Sequence, residues 1–383
     1  MYKGGFFVKI LVVSDSFKES LTSRQVAEAV EEGMLKFSKQ IQVIKVPVAD
    51  GGEGTVDAMV NAINGQIINK TITGPLGGTI DSFYAFSKES KISVIEVAAA
   101  VGIGNIKVED RNPLKATTIG VGELIKDAID KGSNKIIVGL GGTATNDGGL
   151  GMLVGLGCKV YDRDGNSIYP SGENLNKIVK IETTQLQENI EGVEFILASD
   201  VTNPLVGELG ASHIFGPQKG ATPEMVQILE TNMCHYADVL EKTLDKSIRT
   251  MKGAGAAGGL GAAFLAFFNA KFKLGVDIVL EANNIDKLMK DVNLVITGEG
   301  KIDAQTAYGK TPMGITKLAK KNGCKVIGIA GRLGKGAREM LSKGMDNIYC
   351  ITPEGMETTE ALETAYQNVV STCEKIVADY EVE

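Results

Sequence analysis

The feature that most constrains the fold is an alternation of strand and helix patterns that opens the chain and resumes near its end. At the amino end, the apolar runs VKILVVSD and QVIKVPVAD are followed by the helical patterns SRQVAEAVEEGMLKF and GTVDAMVNAI. Near the carboxyl end, NLVITGEG, CKVIGIAG and NIYCITP alternate with helical patterns in the same way. Such alternation predicts a parallel sheet with helices on both faces. We therefore expect an α/β, doubly wound parallel sheet built from residues 1–73 and 287–383.

The first helix of this pattern has a recognisable start. Thr22 precedes it and Gln25 stands three residues further on, which is the spacing of a capping box. In such a box, each side chain accepts a hydrogen bond from the other residue's backbone N–H. We therefore expect the helix to begin directly after Thr22.

The middle of the chain, residues 74–286, has a different pattern. The segment KTITGPLGGTIDSFYAF predicts a hairpin around Gly-Pro and Gly-Gly turns. The runs ISVIEVAA, NKIIVGLG and VEFILASDV predict further strands, and TTIGVGELIKDAIDKG predicts a helix. We therefore expect an inserted domain of mixed α/β structure that interrupts the parallel sheet.

Composition excludes several classes of protein. The 383 residues are too many for one ordinary core, and the net charge of -7 argues against a nucleic-acid binder. The run FFVKILVV is interrupted by Lys9 and is too short for a signal or membrane segment. Two histidines exclude a histidine-rich metal site, and five scattered cysteines are typical of reduced thiols. We expect a cytoplasmic protein with small-molecule partners, no nucleic acid and no membrane.

The glycine-rich segment GLGGTATNDGGLG, residues 139–151, follows an apolar run. It fits G-x-G-x-x-A, and Asp162 and Asp164 follow at roughly the 20-residue spacing of a ribose-binding acid. A dinucleotide site needs its glycine turn to open directly into a helix, but TATND prolongs this loop, with Asn146 or Asp147 as the expected N-cap. Three interpretations stay open: a loop facing phosphate or substrate, a structural glycine turn, and an NAD(P)-dependent dehydrogenase of a small hydroxy acid.

A second glycine pattern, GAGAAG at Gly253–Gly258, is a literal G-x-G-x-x-G. The residues before it, KSIRTMK, do not form the apolar strand that a dinucleotide site requires. Helix packing through small residues is the favoured interpretation, with a nucleotide-facing role as the alternative.

A third pattern, GKTP, ends like a phosphate-binding loop, but Ala304 stands where that motif needs its first glycine. Thr311 can cap the following helix, and Pro312 suits its first turn. Backbone N–H groups and Lys310 at this place would attract an anionic phosphate. A plain capped helix is the alternative.

Acidic residues follow several of the predicted strands: Asp15, Asp50, Glu53, Asp200, Glu299 and Asp303. A single acid at a strand end is usually a helix cap. Several acids converging from separate segments would repel one another unless they bound Mg²⁺ or held a proton. Cations stand in similar loops, namely Lys18, Arg111, Lys219, Lys301 and Lys310. Acids and cations together in loops favour phosphoryl transfer, in which charge must be spread and positioned.

Seven segments in order carry a family resemblance: SDSFKESL, ADGGEGT, RNP, GLGGTATNDGG, SDVTNPL, FGPQKGA and TGEGKIDAQT. Together they resemble the bacterial glycerate kinase family that carries an inserted domain, which has arginine where this chain has Lys301. The resemblance implies ATP-dependent phosphorylation of D-glycerate with Mg²⁺. It also implies a flavodoxin-like domain made from both chain ends and an inserted domain of restriction-enzyme-like topology. GLGGTATNDGG is then expected to be a loop of the kinase cleft.

On this resemblance, candidate site residues receive roles. The catalytic candidates are Asp50, Lys18 and Asp200. The candidates for substrate binding are Ser16, Gly51, Gly52, Glu53, Arg111 and Asn203. The candidates for ATP binding are Gly141, Gly142, Thr143, Asn146, Lys301 and Lys310. The candidates for metal binding are Asp200, Glu299 and Asp303.

Asp50 is the expected general base because it ends the apolar run QVIKVPVA, where a strand would fix its position. The neighbouring glycines leave room for a small substrate, and a positioned carboxylate can accept the proton of an alcohol. The alternative is that Asp50 caps the helix that begins near Gly54. 2-Phosphoglycerate is the favoured product over 3-phosphoglycerate, and a homo-oligomer is compatible with the sequence.

Overall fold

The structure is a computed structural model, and it describes residues 9–49, 51–308 and 310–380. The described residues fall into two compact units. The first unit contains the described parts of residues 1–50, 57–62 and 276–383. The second unit contains residues 51–56 and 63–275. Asp50, the expected base, lies outside the described residues.

The described elements are numbered in chain order, and short 3₁₀ turns connect some of them. The strands are β1 (Lys9–Val12), β2 (Gln42–Lys45), β3 (Gln66–Thr73), β4 (Thr79–Ser87), β5 (Ile92–Glu96), β6 (Lys135–Gly139), β7 (Lys159–Tyr161), β8 (Lys180–Glu182), β9 (Glu194–Ala198), β10 (Lys271–Lys273), β11 (Leu294–Ile302), β12 (Lys325–Leu333) and β13 (Asn347–Cys350). The helices are α1 (Ser23–Phe37), α2 (Thr55–Val60), α3 (Val97–Val101), α4 (Ile119–Asp130), α5 (Leu150–Gly155), α6 (Thr184–Ile190), α7 (Ala211–Phe215), α8 (Pro223–Leu244), α9 (Leu260–Phe267), α10 (Gly275–Ala282), α11 (Ile285–Leu288), α12 (Thr311–Lys321), α13 (Glu339–Ser342), α14 (Thr358–Glu363) and α15 (Ala365–Tyr380).

The first unit is built on a five-stranded sheet in the order β13-β12-β11-β1-β2. All four strand pairs are parallel, and Val12 of β1 lies opposite Ile296 of β11. The order corresponds to the 2-1-3-4-5 order of flavodoxin-like sheets. The predicted fold class, a doubly wound parallel sheet made from both chain ends, is therefore confirmed.

The core of this unit forms where α1 and α15 cover one face of the sheet. Thr22 and Gln25 form the predicted capping box at the start of α1. Val26, Val30 and Met34 of α1 are fully buried because their spacing of three to four residues places them on one side of the helix.

The second unit contains a six-stranded sheet in the order β10-β9-β6-β5-β4-β3 and a small antiparallel pair, β7 and β8. Strands β5, β6, β9 and β10 are parallel, whereas β3, β4 and β5 are antiparallel neighbours. This is the predicted mixed α/β insertion. Its observed boundary differs from residue 73, because β3 pairs along its whole length with β4 in the predicted hairpin. Residues 276–286 belong to the first unit.

The core of the second unit positions the loop that follows β6. Phe195, Phe264 and Phe268 form an aromatic cluster beside the sheet, and residues 136–139 of β6 are buried. The loop from residue 140 to 149 therefore leaves the sheet from a rigid strand. In the described part of the chain, no helix is both long enough and apolar enough to cross a membrane.

Candidate active site

Asp147 fixes the glycine-rich loop that follows β6. Its carboxylate is fully buried, and Oδ2 accepts hydrogen bonds from Thr118 N at 2.7 Å, Thr118 Oγ1 at 2.8 Å and Gly151 N at 3.2 Å. Oδ1 accepts a hydrogen bond from Gly149 N at 3.1 Å. Burial raises the pKa of Asp147, and these hydrogen bonds oppose the rise. The predicted N-cap, Asn146 or Asp147, is wrong, because Gly149 at a φ of 73° is the N-cap of α5.

This geometry does not suit a dinucleotide fingerprint. A pyrophosphate would bind at the helix N-terminus, but the buried carboxylate of Asp147 already accepts hydrogen bonds from backbone amides there. Asp162, the expected ribose-binding acid, closes an exposed turn by accepting from Asp164 N at 2.9 Å and Asn166 N at 2.8 Å. The loop therefore lacks the arrangement that the dehydrogenase interpretation requires.

The GAGAAG segment packs against the same loop. Gly148 N donates to Gly258 O at 3.0 Å, and a Cβ added to Gly258 would lie 2.0 Å from the carbonyl oxygen of Thr145. The small residues therefore serve close packing of backbone on backbone. These residues pack against a loop, whereas the sequence favoured helix packing.

Lys219 of the FGPQKGA segment reaches this loop from another part of the second unit. Its side chain is buried, and its Nζ donates to Thr145 O at 2.6 Å. Burial lowers the pKa of Lys219 to about 7, and the charge of Asp147 opposes the fall. Gly220 packs against Arg111 of the RNP segment, since a Cβ added to Gly220 would lie 2.8 Å from the Cβ of Arg111. Three segments that are distant in the sequence therefore meet here.

A cavity of about 430 Å³ lies beside Lys219 in the second unit. Its lining residues are Ile103, Leu140, Gly141, Gly142, Thr143, Val201, Phe215, Gln218, Lys219 and Ala257. Gly141, Gly142 and Thr143, three consecutive residues assigned to ATP, therefore line this cavity. From the sequence, Lys219 was expected to be a loop cation, without a role at the site.

Two other predicted site residues have buried polar atoms that lack a hydrogen-bond partner among the described residues. These atoms are Nε of Arg111 and both amide atoms of Asn146. Asn146 is fully buried and is not among the cavity's lining residues. Such groups are rare in native proteins and often mark a place where a ligand or water binds.

The ADGGEGT and SDVTNPL segments also border the β6 loop. Gly51 has a φ of 97°, and its carbonyl oxygen accepts from Gly141 N at 3.1 Å. The side chain of Asn203 donates to Leu209 O at 2.8 Å, which orders its own segment. Asp200 follows β9 and is exposed. Gly52 is partly buried and Glu53 is exposed. These two segments therefore contain both acidic residues and glycines among the candidates for the site.

In the first unit, Glu299 on β11 is the centre of a second polar group. It accepts a hydrogen bond from the hydroxyl of Thr306, and its Oε2 lies 3.6 Å from Nζ of Lys310. Nζ of Lys301 lies 3.0 Å from Oδ2 of Asp303. Burial raises the pKa of Glu299, whereas the hydrogen bond from Lys301 lowers the pKa of Asp303. The four predicted residues of this segment are therefore neighbours.

The predicted three-acid metal set is not assembled within one unit. Glu299 and Asp303 share Thr306 as a neighbour, but Asp200 belongs to the second unit. Within residues 9–49, 51–308 and 310–380, no three His, Cys, Asp or Glu side chains are grouped closely enough to hold a metal ion. Mg²⁺ usually takes only one or two carboxylates and completes its shell with phosphate and water oxygens. The oxygens of Glu299 and Asp303 fit that smaller requirement.

The carboxyl ends of β1 and β11 meet at the point where the chain connections diverge to opposite sides of the sheet, a common ligand site. Here Asp15 accepts from Ser16 N at 2.6 Å and from Thr311 Oγ1 at 3.5 Å. Thr311 was expected to cap α12, but the N-cap is Lys310. Lys18 and Arg332 line a small cavity of about 90 Å³ at these strand ends. Arg332 was not predicted from the sequence, because its signal there is merely a charge near the end of β12.

The chain is similar to known proteins over nearly its whole length. Residues 10–381 match the family model described as the glycerate kinase family. A Bacillus subtilis (strain 168) protein named glycerate kinase is 44% identical over 371 residues, 97% of each chain. An Escherichia coli (strain K12) protein named glycerate 2-kinase is 43% identical over 371 residues, again 97% of each chain.

A solved structure is also similar. It is the crystal structure of a Salmonella typhimurium LT2 protein, described there as a candidate glycerate kinase 2. Its TM-score is 0.85 at 42% sequence identity, and the match covers 98% of each chain. The agreement extends over both units of the fold. The chain therefore belongs to the glycerate kinase family and is a phosphotransferase.

Proposed function

We propose that the protein transfers the γ-phosphoryl group of ATP to the 2-hydroxyl of D-glycerate, which gives 2-phosphoglycerate and ADP. The observation that carries the proposal is the convergence of the RNP, GLGGTATNDGG and FGPQKGA segments on Lys219 and the cavity beside it. The choice of the 2-hydroxyl follows the Escherichia coli relative, which is named a glycerate 2-kinase.

In this proposal, cations and backbone amides hold the nucleotide. The residues assigned to it are Gly141, Gly142, Thr143, Asn146, Lys301 and Lys310. Mg²⁺, when bound, would neutralise charge that develops on the phosphoryl oxygens. Glu299 and Asp303 are its proposed ligands in the first unit, and Asp200 is a further candidate in the second unit.

The acceptor alcohol needs a group that orients it and takes its proton. We assign that role to Asp50, with Lys18 and Asp200 completing the catalytic set. The residues proposed for D-glycerate are Ser16, Gly51, Gly52, Glu53, Arg111 and Asn203. The buried Nε of Arg111, which has no acceptor among the described residues, supports an anionic partner such as the glycerate carboxylate.

The test is incubation of the protein with ATP, Mg²⁺ and D-glycerate, with ADP release followed by a coupled assay. Phosphorus NMR of the product then distinguishes 2-phosphoglycerate from 3-phosphoglycerate. ADP release must require both glycerate and a divalent cation, so full turnover in excess EDTA would contradict the proposal. Tight binding of NADH, without ADP release from ATP, would instead favour the dehydrogenase.

We also propose that the protein acts in the cytoplasm. All five cysteines are free thiols in the structure, and three of them are buried. Unpaired thiols are typical of proteins in a reducing compartment.

A further inference from the structure

The cavity in the second unit has one ionisable group in its described lining. Of its described lining residues, Lys219 alone has an ionisable side chain. The other walls are apolar side chains together with glycine, threonine and glutamine. A ligand that enters this cavity therefore meets the amino group of Lys219 and no carboxylate among the described lining residues.

The ammonium group of Lys219 has N–H donors that can bind such a ligand. A lysine ammonium carries three N–H donors. In the part of the chain that the structure describes, the hydrogen-bond acceptor of Lys219 is a single neutral atom, the carbonyl oxygen of Thr145. The charge of Asp147 favours the protonated form of Lys219. The oxygens of Asp147, however, already accept four hydrogen bonds from other groups.

A backbone donor adjoins the same cavity. Gly142 has a φ of 76°, and its carbonyl oxygen accepts from Ile103 N at 2.9 Å. Its own N–H has no protein acceptor among residues 9–49, 51–308 and 310–380. Gly142 and Lys219 line the same cavity, and backbone N–H groups together with a cation can bind anionic oxygens.

We propose that Lys219, with the N–H of Gly142, binds an oxyanion in this cavity. The oxyanion is the phosphate chain of the nucleotide or the carboxylate of glycerate, an identification that rests on the proposed function. In the free protein, Thr145 holds the ammonium group at the cavity wall. On binding, the oxyanion accepts from the remaining N–H donors of Lys219.

Titration calorimetry on the full chain tests this site, with ATP, ADP and D-glycerate as separate ligands. Lys219→Met keeps the length of the side chain and removes its charge. Lys246→Met is the matched control, because Lys246 of the same unit also donates to a backbone carbonyl, Leu265 O at 2.8 Å, but is exposed. Thermal unfolding establishes that both variants are folded.

We expect Lys219→Met to raise the Kd of one ligand class by at least about 10-fold, because hydrogen bonds to charged groups are the strong ones. A change for ATP and ADP identifies the phosphate chain, and a change for D-glycerate identifies the carboxylate. Lys246→Met should bind all three ligands as the wild type does. Unchanged Kd values for all three ligands in folded Lys219→Met would overturn the proposal.

Proton uptake separates ligand binding from a merely structural role. An oxyanion favours the charged form of Lys219, so the wild type should take up protons on binding near pH 8. The uptake is measured from the binding enthalpy in buffers of different ionisation enthalpy. Lys219→Met should lose this uptake, and weaker binding with unchanged uptake would overturn the proposal in favour of a structural role.

These outcomes are independent of turnover. If the wild type releases ADP with glycerate but Lys219→Met binds every ligand normally, the oxyanion site is wrong and the proposed function stands. If the wild type releases no ADP while Lys219→Met loses affinity and proton uptake, the proposed function is wrong and the oxyanion site stands.

Discussion

The ammonium group of Lys219 donates to the carbonyl oxygen of Thr145 over 2.6 Å, and both residues are buried. Burial lowers the pKa of Lys219 from 10.5 to about 7. Between these two values, the unfolded chain holds a proton that the folded protein has lost. The free energy of unfolding should therefore rise with pH through this window.

This relation predicts a difference between the wild type and Lys219→Met. From pH 7 to pH 10, the free energy of unfolding of the wild type should rise relative to that of the variant, by up to about 1.4 kcal/mol per pH unit. Urea unfolding at several pH values measures the difference, in which the other titrating groups cancel. A difference that stays constant with pH would show that Lys219 keeps its proton when buried.

A second prediction concerns the link between Asp147 and Thr118. Thr118 Oγ1 donates to Asp147 at 2.8 Å and accepts from Met152 N at 2.9 Å. Thr118→Val should lower the free energy of unfolding by at least about 1–3 kcal/mol, because it leaves buried polar groups without partners. Thr231→Val is the control, since Thr231 is exposed on α8 and its hydroxyl donates to Gln227 O of the same helix. Equal urea midpoints for the two variants would contradict the prediction.

The sequence predicts local features well and side-chain contacts between distant segments poorly. The capping box of Thr22 and Gln25 needs only residues three apart, and it is confirmed. Threonine commonly caps helices, but the hydroxyl of Thr311 lies 3.5 Å from Asp15 at the end of another strand. That contact depends on the folded sheet. Burial of Lys219 likewise depends on loops that meet only in the fold, so its sequence signal is merely that of a loop cation.

A third prediction concerns Glu299 and the metal. Glu299→Gln should raise the Mg²⁺ concentration needed for half-maximal ADP release by at least about 10-fold, because charge stabilisation by a metal is worth several kcal/mol. Burial raises the pKa of Glu299, so the wild type should also need more Mg²⁺ for half-maximal ADP release as pH falls. Asp286→Asn is the control, since Asp286 is an acid of the same unit paired with Lys321. An unchanged Mg²⁺ requirement in Glu299→Gln would remove this residue from the metal site.

A fourth prediction concerns Asp50, which stays the proposed base. Asparagine can still cap a helix but cannot accept a proton from an alcohol. Asp50→Asn should therefore lower kcat by roughly 10²–10⁴-fold at saturating glycerate, whereas loss of a cap alone would cost about 1 kcal/mol of stability. Steady-state kinetics and thermal unfolding measure the two effects. A near-normal kcat would make Asp50 a cap and Asp200 the next candidate for the base.

The position of β1 between β2 and β11 has a consequence for biosynthesis. The ribosome makes β1 and β2 first, and it makes the whole second unit before β11 appears. At typical elongation rates that interval lasts roughly 10–50 s. During this time the second unit can fold, while β1 has an unpaired edge that invites association with other nascent chains. Chaperones that shield the amino end of the nascent chain would protect it until β11 closes the sheet.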